Sequence, residues 1–560
     1  MSSSIQLQDT QDGVKLPMPI WSIKEEKEVV KDEKTIDAKA FIVMDDCLVN
    51  KESWVKTNPT VYETVDQLLG HITELSQIDE TSIGQVVTVA GWVHEKRPQK
   101  ELIFVKLFDS AGSKMAPLQI VFDLADVVSN ITDVSEYAKI YVGASMVIKG
   151  LIIKSPAKGQ KIEMKGQICY VVGEIEDPEH YPLAGSASSN MELLRGIPQL
   201  ECQSTRKNAI YKVRSELSYA TETFFRQKGY AKVDMPLITF SECEGGCQPM
   251  QATLLLTEGK KSKIPHKDDA IDVVDFSKDF FGVKASLTVS AQLELETHLP
   301  LGNVWTMTRA IRGEPSQTTR HLCEFSMIEI EKRFSKSARD IMDISEEFIK
   351  FCIRYALEHC SLQLEFLESK RCYGKEHRSK LQTYLDTPFV RITHAQAVEM
   401  LLQDVADKKV KFTSLPAYDD DMGSEHERYL VDVKYKLPVI VMRYPKVVKA
   451  FYMPVLQETL EESHGVEHVD SFDILVPDVG ELVGGSQRIH KYDELVARID
   501  ELGLDKRQLQ FYIDLRRYGS VPHSGMGLGV ERLVKFITGA ESVKDCVAFP
   551  RFLGSGKLGA

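Results

Sequence analysis

Apolar and polar residues alternate in short runs between positions 84 and 176 of this chain. Five such runs stand out, at residues 87–93, 102–107, 118–122, 146–150 and 168–172. Alternation with a period of two is typical of half-buried strands, and five short strands within about ninety residues predict a small barrel. Residues 84–176 are therefore expected to form one all-β domain.

The apolar pattern changes on either side of this domain. Residues 177–205 contain Asp-Pro and a Gly-Ser-Ala-Ser-Ser-Asn run, which predict a hinge. Residues 206–227 place apolar side chains at helical spacing and open a second domain that extends to residue 560. Residues 1–83 are charge-dense, with a helical pattern only within 53–80, so we expect a partly disordered N-terminal extension.

Two further patterns mark the second domain. Residues 304–307 and 325–331 predict two strands, and the polar loop between them predicts a hairpin with a long connection. Residues 523–529 contain alternate glycines and precede a helical segment. Because glycine has no Cβ, a ligand can approach bare backbone there, and we expect a strand that lines a ligand site and leads into a helix. A simple Gly-rich turn is the alternative.

Composition and charge add general constraints. The 560 residues suffice for several domains, and 43% of them are hydrophobic, as in ordinary globular proteins. We find no apolar run of the roughly 18 residues that a membrane helix needs and no signal pattern, so a cytoplasmic protein is expected. Ten cysteines without paired spacing suit a reducing compartment. The net charge is −13, so binding to nucleic acid would depend on local basic faces.

Charged side chains crowd the loop of the predicted hairpin, where Arg312, Glu314, Arg320 and His321 lie within ten positions. The guanidinium fork matches the oxygens of a phosphate group, so this loop predicts a phosphate site, with a solvated charged loop as the alternative. Arg532 closely follows the glycine-rich segment, where a planar cation can stack on a flat ligand.

These two segments, together with residues 233–239, resemble motifs 2, 3 and 1 of the class II aminoacyl-tRNA synthetases. The motifs stand in the family's order, and the resemblance covers residue 84 to the end. It implies an α+β fold with a five-stranded OB-fold barrel that binds the anticodon over 84–176. It also implies a catalytic domain over 206–560, in which helices flank an antiparallel sheet, and a homodimer formed through motif 1.

The resemblance implies the reaction as well. An amino-acid carboxylate attacks the α-phosphorus of ATP, and tRNA then accepts the acyl group; the first step needs positioning and charge neutralisation more than a general base. By family position, Arg312 holds the α-phosphate and the amino-acid carboxylate, and Glu314 contacts the adenine side. Phe325 and Arg532 stack on the two faces of adenine, beside Gly529.

Other positions of the family correspond to the phosphate end of ATP. Arg320 and His321 are expected to reach the terminal phosphates or the end of the tRNA. Asp473 and Glu481 resemble the family's pair of magnesium-binding acids, and Mg²⁺ prefers one or two carboxylates together with phosphate oxygens.

The amino-acid specificity follows from a second resemblance, within the class IIb branch for aspartate, asparagine and lysine. Aspartate enzymes place a lysine three residues after the glutamine that corresponds to Gln292, whereas this chain has Leu295 followed by Glu296. A buried glutamate repels a carboxylate but accepts a hydrogen bond from an amide NH2. Arg516 is expected to donate to the amide oxygen, and Glu244 to receive the substrate ammonium. The pattern is similar to the asparagine branch and implies L-asparagine and tRNA(Asn) as substrates.

In the barrel, Phe104 and Gln119 occupy the family positions that stack on and read the middle base of the anticodon. Arg97 follows the first strand and is expected to meet a phosphate. Aromatic stacking and polar reading of base edges are the usual means by which such barrels bind single strands. The alternative for Phe104 is a core position.

The chain also departs from the family pattern. Motif 2 reads Ile-Arg-Gly-Glu over 311–314 where Phe-Arg-Ala-Glu is usual, Thr-Arg-Ala replaces Gly-Pro-Thr over 308–310, and Ala291 replaces glycine. The charged positions survive these changes, so the departures concern pocket shape and turnover more than the reaction.

Two alternative functions stand beside this interpretation: an aspartate-specific or asparagine-forming ligase on the same catalytic domain, and a paralogue that keeps only tRNA binding or a regulatory role. The predicted barrel argues against the asparagine-forming ligase, because such a ligase has no use for an anticodon. The intact set of Arg312, Glu314, Glu481 and Arg532 argues against the paralogue.

Overall fold

The computed structural model describes residues 41–44, 47–50, 63–109, 117–123, 135–185, 190–241, 249–256, 266–267, 270–316, 318–369, 376–457 and 464–557. The chain divides into two compact units, residues 1–59 and 60–560. In the first unit, β1 (Phe41–Met44) and β2 (Cys47–Asn50) form an antiparallel hairpin in which Phe41 pairs with Asn50. The rest of that unit, including the charge-dense part of the predicted extension, lies outside the described residues.

The second unit begins with a short helix and a barrel. Its elements are α1 (Val65–Leu69), β3 (Val86–Gln99), β4 (Leu102–Phe108), β5 (Leu118–Asp123), α2 (Ser135–Ala138), β6 (Ser145–Lys154) and β7 (Ile162–Gly173). The five strands close in the order β3-β4-β5-β7-β6. The predicted five-stranded barrel is confirmed.

Side chains of β4 alternate between the two faces of the barrel wall. Ile103, Val105 and Leu107 are buried inside it, whereas Phe104 and Lys106 lie on the other face and are half-buried. The period-two pattern of the sequence therefore marks the interior correctly.

Residues before the barrel pack onto it. Leu68 of α1 is buried, Glu63 forms an ion pair with Lys149 of β6, and Ile72 pairs with Thr88 of β3. Residues 63–83, which the sequence placed in the N-terminal extension, therefore lie within the same compact unit as the barrel.

The strands that follow the barrel are β8 (Ala231–Lys232), β9 (Ile238–Thr239), β10 (His266–Lys267), β11 (Ala270–Val274), β12 (Ser286–Leu287), β13 (Val304–Ile311), β14 (Glu324–Arg333), β15 (Val390–Thr393), β16 (Val439–Met442), β17 (Ser471–Val476), β18 (Gly480–Gln487) and β19 (His523–Gly529). Eight of them form one sheet in the order β15-β16-β17-β18-β19-β14-β13-β8. The six strands from β16 to β13 pair antiparallel, while the outermost pair at each edge is parallel.

The helices of this part are α3 (Met191–Gly196), α4 (Thr205–Gln227), α5 (Gln292–Glu296), α6 (Arg339–His359), α7 (Ser361–Ser369), α8 (His377–Asp386), α9 (His394–Ala406), α10 (Ser424–Arg428), α11 (Tyr492–Glu501), α12 (Gln510–Arg517) and α13 (Val530–Thr538). The predicted helix at 206–227, the hairpin and the glycine-rich strand with its following helix are all present. Within the described ranges, we find no helix of the length and apolarity needed to cross a membrane.

Strand β14 separates a core face from an open face of the sheet. Ile328 and Ile330 join the main hydrophobic cluster, which includes Phe224 of α4 and Phe348 of α6. The alternate side chains of β14 point away from this cluster and lie on the opposite face of the sheet. These are Phe325, Met327, Glu329 and Glu331.

Glycines of β19 make room for those side chains. Gly525 pairs with Glu331, and a Cβ on it would lie 2.0 Å from a Glu331 carboxylate oxygen. A Cβ on Gly527 would lie 2.5 Å from the terminal carbon of Met327. At these two positions the bare backbone therefore makes room for the side chains of Glu331 and Met327, which lie across it.

The segment that resembles motif 1 is not one continuous strand. β8 and β9 are separate two-residue strands, and the residues between them, including Pro236, have no strand assignment. Two backbone hydrogen bonds still tie this stretch to its neighbours: the Val233 N–H donates to the Trp305 carbonyl at 2.9 Å, and the Leu237 carbonyl accepts from Thr288 at 2.8 Å. Proline cannot donate a ladder hydrogen bond, and β8 forms the edge of the sheet. Ile238 remains 36% exposed.

Candidate active site

Two adjoining cavities lie on the open face of the eight-stranded sheet. The first encloses about 250 Å³ and the second about 280 Å³. Four residues line both: Arg312 directly after β13, Met327 of β14, Glu481 of β18 and Gly527 of β19. A ligand that extends through both cavities would pass Arg312 and Glu481 at the junction.

The first cavity combines an aromatic ring with guanidinium groups. The Arg312 guanidinium carbon lies 5.4 Å from the centroid of the Phe325 ring. Arg532 of α13 lines the same cavity, and its Nη1 donates to the Glu481 backbone oxygen at 2.7 Å and to its carboxylate at 3.1 Å. Gly529 borders Arg532 and adds no side chain. This arrangement suits a flat heteroaromatic ligand that carries negative charge.

The β13–β14 loop also contributes to the lining of this cavity. His321 Nδ1 lies 2.7 Å from Thr318 Oγ1, and burial together with the nearby Arg532 charge lowers the pKa of His321. Arg320 lines the cavity and donates to Glu427 of α10 at 2.9 Å. Glu314 lies on the exposed rim. All four charged loop residues that the sequence singled out therefore line one cavity.

Two acids meet at the base of the cavities. Asp473 Oδ1 and Glu481 Oε1 each lie 3.4 Å from the position that a Cβ on Gly484 would take. Burial raises the pKa of Asp473 to about 6. The Lys449 ammonium, at 2.8 Å, opposes this rise, and repulsion from Glu481 adds to it. Burial would raise the pKa of Glu481 too, but Arg532 and Lys449 lower it. Two carboxylates converging beside a phosphate-type site fit a divalent cation.

The lining of the second cavity is mostly polar. Gln292 of α5 lines it together with Ser290, whose hydroxyl donates to Glu329 at 2.5 Å. Arg488, directly after β18, and Lys449 complete the charged part of the lining. Both carboxylates and cations are present, as a zwitterionic ligand with a polar side chain requires.

Glu296 lies behind this cavity, fully buried and fully hydrogen-bonded. Its Oε2 accepts from Arg516 at 2.6 Å and from His523 at 2.8 Å, and its Oε1 accepts from Tyr512 at 2.9 Å and from Gln292 at 3.1 Å. Burial would raise the pKa of Glu296, but Arg516 and His523 hold it well below its usual range. The carboxylate is therefore a fixed anion that touches the cavity through Gln292.

The structure thus separates the residues that the sequence assigned to the amino-acid side chain. Gln292 lies in the lining, whereas Glu296 and Arg516 do not. Arg516 is engaged by Glu296, by the Ile489 carbonyl at 2.9 Å and by Tyr512 at 2.7 Å. Glu244 lies outside the described residues.

Arg488 is the functional candidate that sequence reasoning missed. It lines the second cavity, pairs with Glu331 at 2.7 Å and lies 3.9 Å from Glu296. It stands at the end of the Gly-Gly-Ser-Gln segment, and an arginine after such a glycine pair was the available signal. Lys449, which lines the same cavity, also received no role from the sequence.

Glu296, Glu331 and His523 also hold ligand-type atoms within 4.8 Å of one another. Arg516 and Arg488 already neutralise the two acids. A cation would have to displace these guanidinium groups, so this cluster suits a structural network better than a metal.

The barrel carries a second candidate surface. The Arg97 guanidinium carbon lies 5.2 Å from the Phe104 ring centroid, and the two residues pair across β3 and β4. Gln119 of β5 pairs with Lys106 on the same face and donates to Glu163 at 3.1 Å. The three residues predicted to contact an anticodon therefore share the outer face, and Phe104 is not a core residue.

The fold and the cavities indicate the class of protein to which this chain belongs. Residues 190–553 match the family model of tRNA synthetases class II (D, K and N). The chain is similar to a crystal structure of asparaginyl-tRNA synthetase from Pyrococcus horikoshii complexed with asparaginyl-adenylate, with a TM-score of 0.70 and 28% identity over 86% of this chain and 98% of that one. A putative aspartyl-tRNA synthetase from Leishmania major shares the fold at 19% identity and a TM-score of 0.67, over 88% of this chain and 95% of that one.

Curated relatives narrow the class. The chain is 39% identical to an asparagine–tRNA ligase of Porphyromonas gingivalis over 470 residues, which is 84% of this chain and 95% of that protein. It is also 39% identical to an asparagine–tRNA ligase of Treponema denticola, over 84% of this chain and 96% of that protein. This chain belongs to the asparagine–tRNA ligase family.

Proposed function

We propose that this protein activates L-asparagine with ATP and transfers the asparaginyl group to tRNA(Asn). The observation that carries this proposal is the pair of joined cavities, one lined by Phe325 and Arg532 and the other by Gln292 and Arg488, with Arg312 at their junction. ATP would occupy the first cavity and asparagine the second. Their reacting ends would then meet beside Arg312.

The chemistry follows from this placement. One carboxylate oxygen of asparagine forms a bond to the α-phosphorus, and the bond to pyrophosphate breaks. The carboxylate is already ionised at neutral pH, so the protein supplies orientation and positive charge and no base is needed. In the second step the 3′ hydroxyl of the terminal adenosine attacks the acyl carbon, and AMP leaves.

Charge on the phosphates is the main electrostatic demand. Arg312 meets the α-phosphate and the asparagine carboxylate, and Arg320 and His321 meet the outer phosphates or the tRNA end. Asp473 and Glu481 would hold Mg²⁺, which neutralises phosphate charge when bound. The converging carboxylates beside Gly484 support this assignment.

Asparagine would be selected at the far end of the second cavity. Arg488 and Gln292 contact the side-chain amide, and Glu296 holds both of them in place. The buried Glu296 charge disfavours an aspartate carboxylate. Among the described residues that line the cavity, Lys449 is the only lysine that would neutralise such a carboxylate. Glu244 remains our candidate for the substrate ammonium.

Exchange of pyrophosphate into ATP tests this function directly. Asparagine should support the exchange and aspartate should not. In the unaltered protein, donors such as Arg516 and His523 face the Glu296 carboxylate. In Glu296→Gln an NH2 group takes the place of one carboxylate oxygen, and the change should cost about 1–3 kcal/mol of asparagine selectivity. Equal exchange with both amino acids in the unaltered protein would contradict the assignment.

Arg532→Ala should weaken ATP binding, because it removes the cation expected to stack on adenine and near the phosphates. Calorimetric titration with ATP measures this, and adenylate formation should fall severely. Arg507→Ala is a suitable control, since Arg507 is 90% exposed and pairs with Asp505. Unchanged ATP affinity in Arg532→Ala would show that the glycine-rich segment has a different role.

The barrel is proposed to read the anticodon of tRNA(Asn). Phe104 offers a half-exposed ring for base stacking, with Arg97 beside it for a phosphate. Gln119 has its NH2 group held by Glu163, so its oxygen is oriented to accept from a base edge.

Phe104→Ala should therefore reduce tRNA charging while leaving pyrophosphate exchange unchanged, because the first step needs no tRNA. Loss of one stacked base is worth roughly 1–3 kcal/mol. Val172→Ala, at a 54% exposed barrel position, serves as the control. Parallel loss of both activities would mean that the substitution acts on the fold.

We also propose a homodimer formed through the motif 1 region, in a cytoplasmic protein. Leu237, Phe240, Phe281 and Val283 leave an apolar surface beside β9 and β12, with exposures of 40%, 53%, 40% and 51%. A second copy would cover this surface.

Cytoplasmic location is supported by six free thiols among the described cysteines.

Sedimentation at micromolar concentration should give twice the chain mass of 63.2 kDa. Phe240→Asp should shift the protein towards the single chain, because it places a charge in the apolar surface. Val172→Asp, which adds the same charge on the barrel, should not. A single-chain species for the unaltered protein would exclude the dimer.

A further inference from the structure

Glu427 is a charged residue that the reaction as described does not use. It lies on α10, its side chain is only 14% exposed, and it is outside the lining of both cavities. Its Oε2 accepts a hydrogen bond from Arg320 Nη2 at 2.9 Å. The contact joins the loop between β13 and β14 to a helix more than one hundred residues further along the chain.

This contact engages one nitrogen of the Arg320 guanidinium. Arg320 Nε and Nη1 are buried atoms with no hydrogen-bond partner, and Arg320 lines the first cavity. Buried donors without acceptors cost free energy, and an anion in the cavity would remove that cost. Arg320 is therefore held at one end while its other donors are available to a ligand.

The same oxygen of Glu427 also touches the strand that carries Glu481. It accepts from the Glu481 backbone N–H at 3.4 Å. It lies 2.6 Å from the position of a Cβ on Gly480, whose φ is +86°, so only glycine fits there without displacing the pair. Arg320 Nη2 lies 2.9 Å from that same position. Glu427, Arg320 and Gly480 thus form one packed unit behind the cavity wall.

We propose that Glu427 is a positioning residue that orients Arg320 towards the outer phosphates of ATP. It acts through Arg320 and does not touch ATP itself. By fixing the guanidinium before ATP binds, it lowers the cost of ordering a long side chain when the complex forms. This inference rests on the proposed function, because it assumes that Arg320 meets phosphate.

A double-mutant cycle on ATP affinity tests the inference. The variants are Glu427→Gln, Arg320→Ala and the pair, with asparagine-dependent pyrophosphate exchange as the assay. Glu427→Gln keeps the size of the side chain but removes its charge, and we expect it to raise the KM for ATP about tenfold. The KM for asparagine should stay within about twofold of its original value, and in the Arg320→Ala background Glu427→Gln should add nothing further.

Glu425→Gln provides a matched control on the same helix. Glu425 accepts from the backbone N–H groups of Thr413 and Ser414, away from the cavities, so its variant should leave the KM for ATP unchanged. Thermal unfolding midpoints of all variants show whether a substitution acts on the fold.

Each other outcome identifies which idea fails. If Arg320→Ala leaves the KM for ATP unchanged, the phosphate role of Arg320 is wrong and the inference is overturned with it. If Arg320→Ala raises this KM but the Glu427→Gln effect persists in full beside it, Arg320 keeps its role and only the inference is wrong. An unchanged KM for ATP in Glu427→Gln, or a parallel rise for both substrates with a lower unfolding midpoint, also overturns it.

Discussion

The pairing of β14 with β19 is the constraint on which the rest of the site depends. Glu329 and Glu331 of β14 lie opposite Gly527 and Gly525. Because those glycines have no side chains, the long side chains of β14 can lie across the open face of the sheet. The alternate residues of β14 pack into the core, so one strand both anchors the sheet and builds the cavity floor.

Burying so many charges beside this strand is possible only because they are paired. Glu331 and Glu296 are almost completely buried, and the guanidinium groups of Arg488 and Arg516 contact them at 2.7 and 2.6 Å. Such pairs add little net stability, since desolvation offsets their attraction. They do fix the geometry of the groups in and behind the second cavity, and removal of one partner leaves an unpaired buried charge.

Periodic features of the chain were predictable from the sequence. The barrel, the hairpin and the helix over 206–227 follow from apolar spacing, which burial on one side enforces. Four loop residues, Arg312, Glu314, Arg320 and His321, were identified by their charge, and the structure brings them to one cavity. The motif 1 strand was less predictable: the stretch around Pro236 has no strand assignment, and β8 and β9 on either side of it belong to different sheets.

The sequence by itself determined the order of the elements, the family and the chemical types of side chain that the site contains. Only the tertiary structure decided which of those side chains reach the cavity. Glu296 and Arg516 carry the expected chemistry but are bound to each other behind the wall, while Arg488 lines the cavity. The reason is physical: a buried carboxylate attracts every nearby donor, and which donors are near depends on strands and helices distant in the chain.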